Sequence, residues 1–179
     1  MNLKKMIIVN SILTFLLCFL SHFIYSWFPN IITSLFFPVN ESIWEHMKML
    51  YTTFLIYGII EYFIMKKFNI IHNNFLLATF TKSIVSIPIY LIIFLTLYNI
   101  FGENMFISIS VMLLTIILVN LIDYKILQLD EFKYQQEVSV LFIIIVYIIM
   151  GYLTYNPPKT ELFYDIKEEK YGINDYVNK

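Results

Sequence analysis

The chain contains no arginine, one cysteine, four glycines and five prolines, and charged residues fill only 14% of its 179 positions. Each shortage removes a class of function. A lone Cys18 cannot close an internal disulfide, and Leu16-Leu17 before it lacks the small residue that a lipidated cysteine would want. No glycine-rich phosphate loop, cysteine pair, nucleophile elbow or basic nucleic-acid patch occurs, so no nucleic-acid partner is expected. The charge content falls far below the roughly 25% usual in soluble domains, while 59% of the residues are apolar and 18% aromatic. This composition belongs in a lipid bilayer.

Five apolar runs set the expected architecture: Met6 to Phe28, Ile43 to Met65, Phe75 to Tyr98, Met105 to Leu127 and Val138 to Tyr155. Each holds about 18 to 24 residues, matching the roughly 20 that an α-helix needs to cross a hydrocarbon core of ~30 Å. The runs are continuously apolar rather than alternating, which predicts helices instead of barrel strands. The fold class is therefore all-α, a polytopic bundle of five transmembrane helices over 1–156, followed by a short extracytoplasmic tail over 157–179. Short links predict antiparallel packing of successive spans. The first run follows Lys4 and Lys5 as a secretory signal would, but it is long and no small-residue cleavage site follows Cys18 or Ser21, so it is read as a span.

Orientation rests on lysine. Lys4, Lys5, Lys66, Lys67, Lys125 and Lys133 fall on one side, and the segments 29–41 and 99–104 on the other side carry none, which predicts N-in/C-out; Lys159, Lys167 and Lys170 of the tail stand against it, but that tail also holds Glu161, Asp165, Glu168, Glu169 and Asp175 and is long enough to cross despite its charge. Abundant Ile, Lys and Asn without Arg point to an AT-rich bacterial genome and to a multi-pass protein of the bacterial plasma membrane.

Between the first two runs, four titratable side chains crowd into eight positions: Glu41, Glu45, His46 and Lys48. Pro38 stops a helix from running through, Asn40 or Ser42 can cap the second span, and Ser42-x-x-Glu45 is a capping-box pattern. Capping, the helix dipole and an interfacial Trp44 would account for these residues without any site. The functional reading starts from helical spacing, which puts Glu41, Glu45, Lys48 and Thr52 on one stripe with His46 on its flank. Ionised groups at membrane depth should face the bundle interior, and one Lys48 cannot neutralise both acids. His22 lies near the end of the first run, at the depth of His46 if the first two helices are antiparallel neighbours. The two rings are then expected within roughly 10 Å of each other and, with Glu45 and Glu41 close by, would suit Zn²⁺ or a similar divalent cation. A polar pocket is thus expected from His22, Asn40, Glu41, Ser42, Glu45, His46 and Lys48, with Glu41, Glu45 and His46 as the catalytic candidates should a metal activate water there.

A second, inner polar group comprises Glu61, Lys82, Asn120 and Asp123, either as an ion pair sealed inside the bundle or as part of a proton or cation relay. Pro88 predicts a kink in the third span, with nearby hydroxyls compensating for the freed Ile84 carbonyl. Pro157-Pro158 opens the tail in an extended form, and Leu162, Phe163, Tyr164 and Tyr171 suggest that it folds back over the Glu41 to His46 region.

The run Pro38-Val39-Asn40-Glu41-Ser42-Ile43-Trp44-Glu45-His46-Met47-Lys48 stands between His22-Phe23-Ile24-Tyr25-Ser26-Trp27 and Tyr155-Asn156-Pro157-Pro158-Lys159 with Leu162-Phe163 and Tyr171-Gly172. Taken together, it resembles a family of small uncharacterised integral membrane proteins from Firmicutes, known only as a domain of unknown function. The likeness covers nearly the whole chain and implies a membrane protein, but it brings no activity, substrate or catalytic residue. Three functions stay open: a small-ligand or cation-binding membrane protein, an intramembrane metal-dependent hydrolase, and a structural or accessory subunit of another membrane protein.

Overall fold

The computed structural model describes residues 3–102 and 104–173, and the backbone of 175–176. The expected tail thus includes residues 174 and 177–179 outside the described residues, as the expected transmembrane unit does 1–2 and 103. Among the described residues there are six α-helices: α1 (Leu3–Trp27), α2 (Ile31–Phe36), α3 (Ile43–Lys67), α4 (Phe75–Phe101), α5 (Met105–Ile126) and α6 (Gln135–Tyr155). All except α2 are long and apolar enough to cross a membrane.

α1, α3, α4 and α6 extend past the apolar runs by two or three residues at one end because backbone hydrogen bonding continues into the flanks, while α5 stops one residue short of its run; Lys66 and Lys67 close α3, where the carbonyl end of the helix favours cations. The short helix α2 lies inside the link that had no expected structure. Asn30 starts it with a reciprocal cap, its side chain accepting the Thr33 N–H while Thr33 Oγ1 accepts from Asn30 N.

α1, α3, α4 and α5 pack in a ring, each against two of the others, and α6 lies outside it against α4 and α2. The departure from sequential neighbours is at α6, which leaves α5 for α4. α3 is the central helix: 61% of its apolar window is buried, against 33% or less for the other four. It is also the least apolar of them, as a bilayer requires, since lipid takes the greasy faces and polar groups must turn inward. Ile8, Ile12 and Leu16 of α1 and Leu141, Ile144 and Ile148 of α6 remain exposed for that reason. Gly58 lets α3 approach α4 closely; a Cβ there would fall 2.5 Å from Thr79 Cγ2.

Pro88 lies within α4 without ending it. The hydroxyls expected to serve the Ile84 carbonyl are used elsewhere: Ser83 donates to Thr79 O at 2.7 Å and Ser86 to Ser83 O at 2.7 Å.

The tail is folded. A 3-10 turn at Glu161–Phe163 leads into three two-residue antiparallel strands, β1 (Tyr164–Asp165), β2 (Lys170–Tyr171) and β3 (Asp175–Tyr176), in the order β1-β2-β3. Gly172 (φ +56°) lets the strand pass the end of α6, since a Cβ there would fall 2.5 Å from Thr154 O.

Candidate functional site

The end of the bundle that carries α2 gathers the tail and the 38–48 segment into two adjoining polar groups. The inner one is closed to solvent. Lys48 and Glu45, both fully buried, meet at 2.5 Å. The Lys48 ammonium also donates to Ser34 O and to Thr154 Oγ1, each at 2.8 Å. The Glu45 carboxylate accepts from Val39 N at 3.1 Å and from Thr154 Oγ1 at 3.3 Å. One ion pair thus ties α3 to α2, α6 and the turn after Pro38. Ser42 caps α3 by accepting Glu45 N–H at 3.4 Å, but the reciprocal half of the expected capping box is absent: Ser42 N donates to Asn40 Oδ1, and Glu45 reaches back past it to Val39.

The outer group is half exposed. Glu41 precedes the Ser42 cap, so it does not share the helical stripe expected for Glu41, Glu45, Lys48 and Thr52; its direction is set by a turn. Its backbone N–H donates to Asp165 Oδ2 at 2.8 Å, and the same buried carboxylate accepts Lys167 N and Glu168 N, so the tail's own loop holds Glu41 in place. Asn40 adds a bond to Gly172 O at 2.9 Å, and Trp44 stacks on Phe163 with ring centroids 4.8 Å apart. Trp44 therefore lies under the tail rather than at a bare interface.

Held this way, the Glu41 carboxylate lies 3.5 Å from His22 Nε2 and 3.9 Å from His46 Nε2. The two imidazoles come from α1 and α3, with centroids 5.3 Å apart. One donor atom from each of His22, Glu41 and His46 lies within 4.8 Å of the others. His46 Nδ1 is 2.9 Å from Ser42 O, a carbonyl that can only accept, so Nδ1 carries a proton and, in the neutral ring, Nε2 is the nitrogen with the lone pair facing the cluster. Lys167 Nζ approaches Glu41 Oε2 at 3.5 Å from the solvent side. Glu45, expected beside the histidines, instead faces Lys48; Glu41 takes that position. The third histidine, His72, stands apart and contacts Ile70 O.

The inner polar group assembles as a set and is larger than expected. Lys82 pairs with Glu61 and, at 3.2 Å, with Asp123. Asn120 Nδ2 donates to Ser11 Oγ at 3.1 Å. Asn10 joins it unannounced: it donates to Glu61 and accepts from Tyr57 OH at 2.7 Å. An Asn inside an apolar run was the available signal, because an amide within the bundle needs a buried partner.

A family described as a family of unknown function, DUF6512, matches residues 1–173. The chain belongs to this DUF6512 family. No curated protein and no solved structure matches it. The family's description names no activity, so the chemistry must be argued from the side chains.

Proposed function

We propose that this DUF6512 protein is a cation-binding membrane protein in which His22, Glu41 and His46 hold one divalent ion of the zinc type at the outer end of the bundle. The observation that carries the reading is the approach of three donors, one carboxylate and two imidazoles, to within 4.8 Å of one another. In a tetrahedral zinc site, bonds of about 2.0 to 2.1 Å put neighbouring donors roughly 3.3 Å apart. The two Glu41 contacts, 3.5 and 3.9 Å, already come close to that, and rotation of exposed side chains supplies the rest. The Ser42 carbonyl on His46 Nδ1 is the kind of partner that fixes ring orientation in metal sites. Two neutral imidazoles and one carboxylate suit a borderline cation better than the hard, all-oxygen preference of Ca²⁺ or Mg²⁺.

The lysine distribution supports an N-in orientation in a bacterial plasma membrane, which would place this cluster and the folded tail outside and make residues 157–179 an extracytoplasmic cap on the transmembrane unit. Three protein donors leave a fourth position for water or a small ligand. A metal-dependent hydrolase at the membrane surface, the second reading, would need water bound at that position.

The test is a zinc titration of the chelator-treated protein in detergent by isothermal calorimetry. One equivalent should bind to the wild type and to His72→Ala, and none to a folded His22→Ala/His46→Ala variant. Equal binding by that double variant, or none by the wild type, overturns the proposal.

A further inference from the structure

At the other end of the bundle, Asn10 of α1, Glu61 of α3 and Asn120 and Asp123 of α5 line a cavity of about 10 Å³. This is about the least space that holds one water-sized particle. All four residues are buried, as is Lys82 of α4, which pairs with both acids. The two carboxylates share one ammonium, so with all three ionised the group carries one uncompensated negative charge. A bundle interior surrounded by lipid is a costly place for it. A second observation points the same way. Asn120 is 1% exposed, and its Oδ1 has no hydrogen-bond partner among the described residues, although its Nδ2 is satisfied by Ser11. A buried acceptor left open beside a surplus negative charge, on a cavity of one-particle size, calls for a small cation.

We infer that this cavity binds one small monovalent cation, such as Na⁺, through the Asp123 and Glu61 carboxylates and Asn120 Oδ1, in competition with a proton. Charge balance sets the valence, since a divalent ion would replace the surplus negative charge with a surplus positive one. Asn10 and Tyr57 position Glu61: the Asn10 amide donates to the carboxylate while Tyr57 OH holds the amide oxygen. The charged and titratable groups facing Asp123 are Lys82 from α4, Glu61 and Tyr57 from α3 and, at the cavity wall, Tyr124 of α5 itself. The Leu3, Met6 and Ile7 side chains of α1, Met65 of α3 and Leu127 after α5 form the rest of that wall, so the cavity lies close to the lysine-bearing end of the bundle.

The experiment is thermal unfolding of the full chain in detergent in NaCl, KCl or choline chloride at equal ionic strength, at pH 6 and pH 8.5, together with retention of radioactive ²²Na⁺. The wild type should show a Tm that rises with the logarithm of Na⁺ concentration beyond the choline control. The rise should be smaller at pH 6, where protons compete. His22→Ala/His46→Ala should keep the response, which separates this site from the outer one. Asp123→Asn should lose both the response and the ²²Na⁺; should that variant fail to fold, Asn120→Ala removes the open acceptor, leaves the charges in place and should weaken ²²Na⁺ retention at least tenfold. Identical Tm values in Na⁺ and choline with no ²²Na⁺ retained would make the group a closed ion pair and overturn the inference. A Tm that follows pH but not Na⁺ would make it a proton site, which overturns it as well.

Discussion

Glu45 and Lys48, one turn apart on α3, bury their charges against each other at 2.5 Å, and their remaining bonds go to α2, α6 and the turn after Pro38. This pair organises the end of the bundle on which the outer cluster is built.

Removing half of a buried pair leaves the other charge without compensation, at a cost of about 3 to 5 kcal/mol. Glu45→Gln should therefore lower thermal stability in detergent sharply, while the fraction that folds keeps its zinc stoichiometry. Adding Lys48→Met should recover much of the loss, since it removes the buried charge left without compensation. A Glu45→Gln protein of normal stability that has lost zinc would put Glu45 in the metal set in place of Glu41.

Lys167 brings a positive charge to within 3.5 Å of Glu41 from an exposed position. A bound divalent ion would displace it. Lys167→Gln should raise zinc affinity about two- to fivefold, the range set by a surface pair worth up to ~1 kcal/mol. The gain should shrink at high salt, where exposed charges are screened. Titration at two salt concentrations measures both effects, and weaker binding by the variant would mean that Lys167 holds Glu41 in the competent position.

The orientation is tested in a Cys18→Ser background. A cysteine at Glu161 should react with an impermeant thiol reagent on intact cells, and one at Lys66 should react only after permeabilisation. The reverse pattern would put the His22–His46 end in the cytoplasm.

The five spans were legible because lipid leaves the backbone no partner except the next helical turn, so length and continuous apolarity suffice. Other features depended on information that periodicity does not carry. Helix α2 has only six residues, too few for a periodic signal, and rests on the Asn30 to Thr33 cap. Glu41 and Glu45 differ only by which side of the Ser42 cap they occupy, and the Glu41 direction is set by Asp165, which comes from the far end of the chain. Spacing along one helix could not distinguish their roles. The tail's aromatics signalled that it docks, yet strands of two residues show no alternation from which a sheet could be read. Inside the bundle, Glu61, Lys82, Asn120 and Asp123 stood out as ionisable or amide groups in apolar runs, whereas Tyr57 did not, since tyrosine is common among membrane aromatics.

The central claim is that His22, Glu41 and His46 share one metal ion, and zinc K-edge X-ray absorption of the loaded protein reads those donors directly. The account predicts a shell of nitrogen and oxygen donors at about 2.0 to 2.1 Å with the outer-shell scattering of two imidazoles, reduced to one in His22→Ala. A spectrum without imidazole scattering, or one unchanged by replacing both His22 and His46, would contradict it.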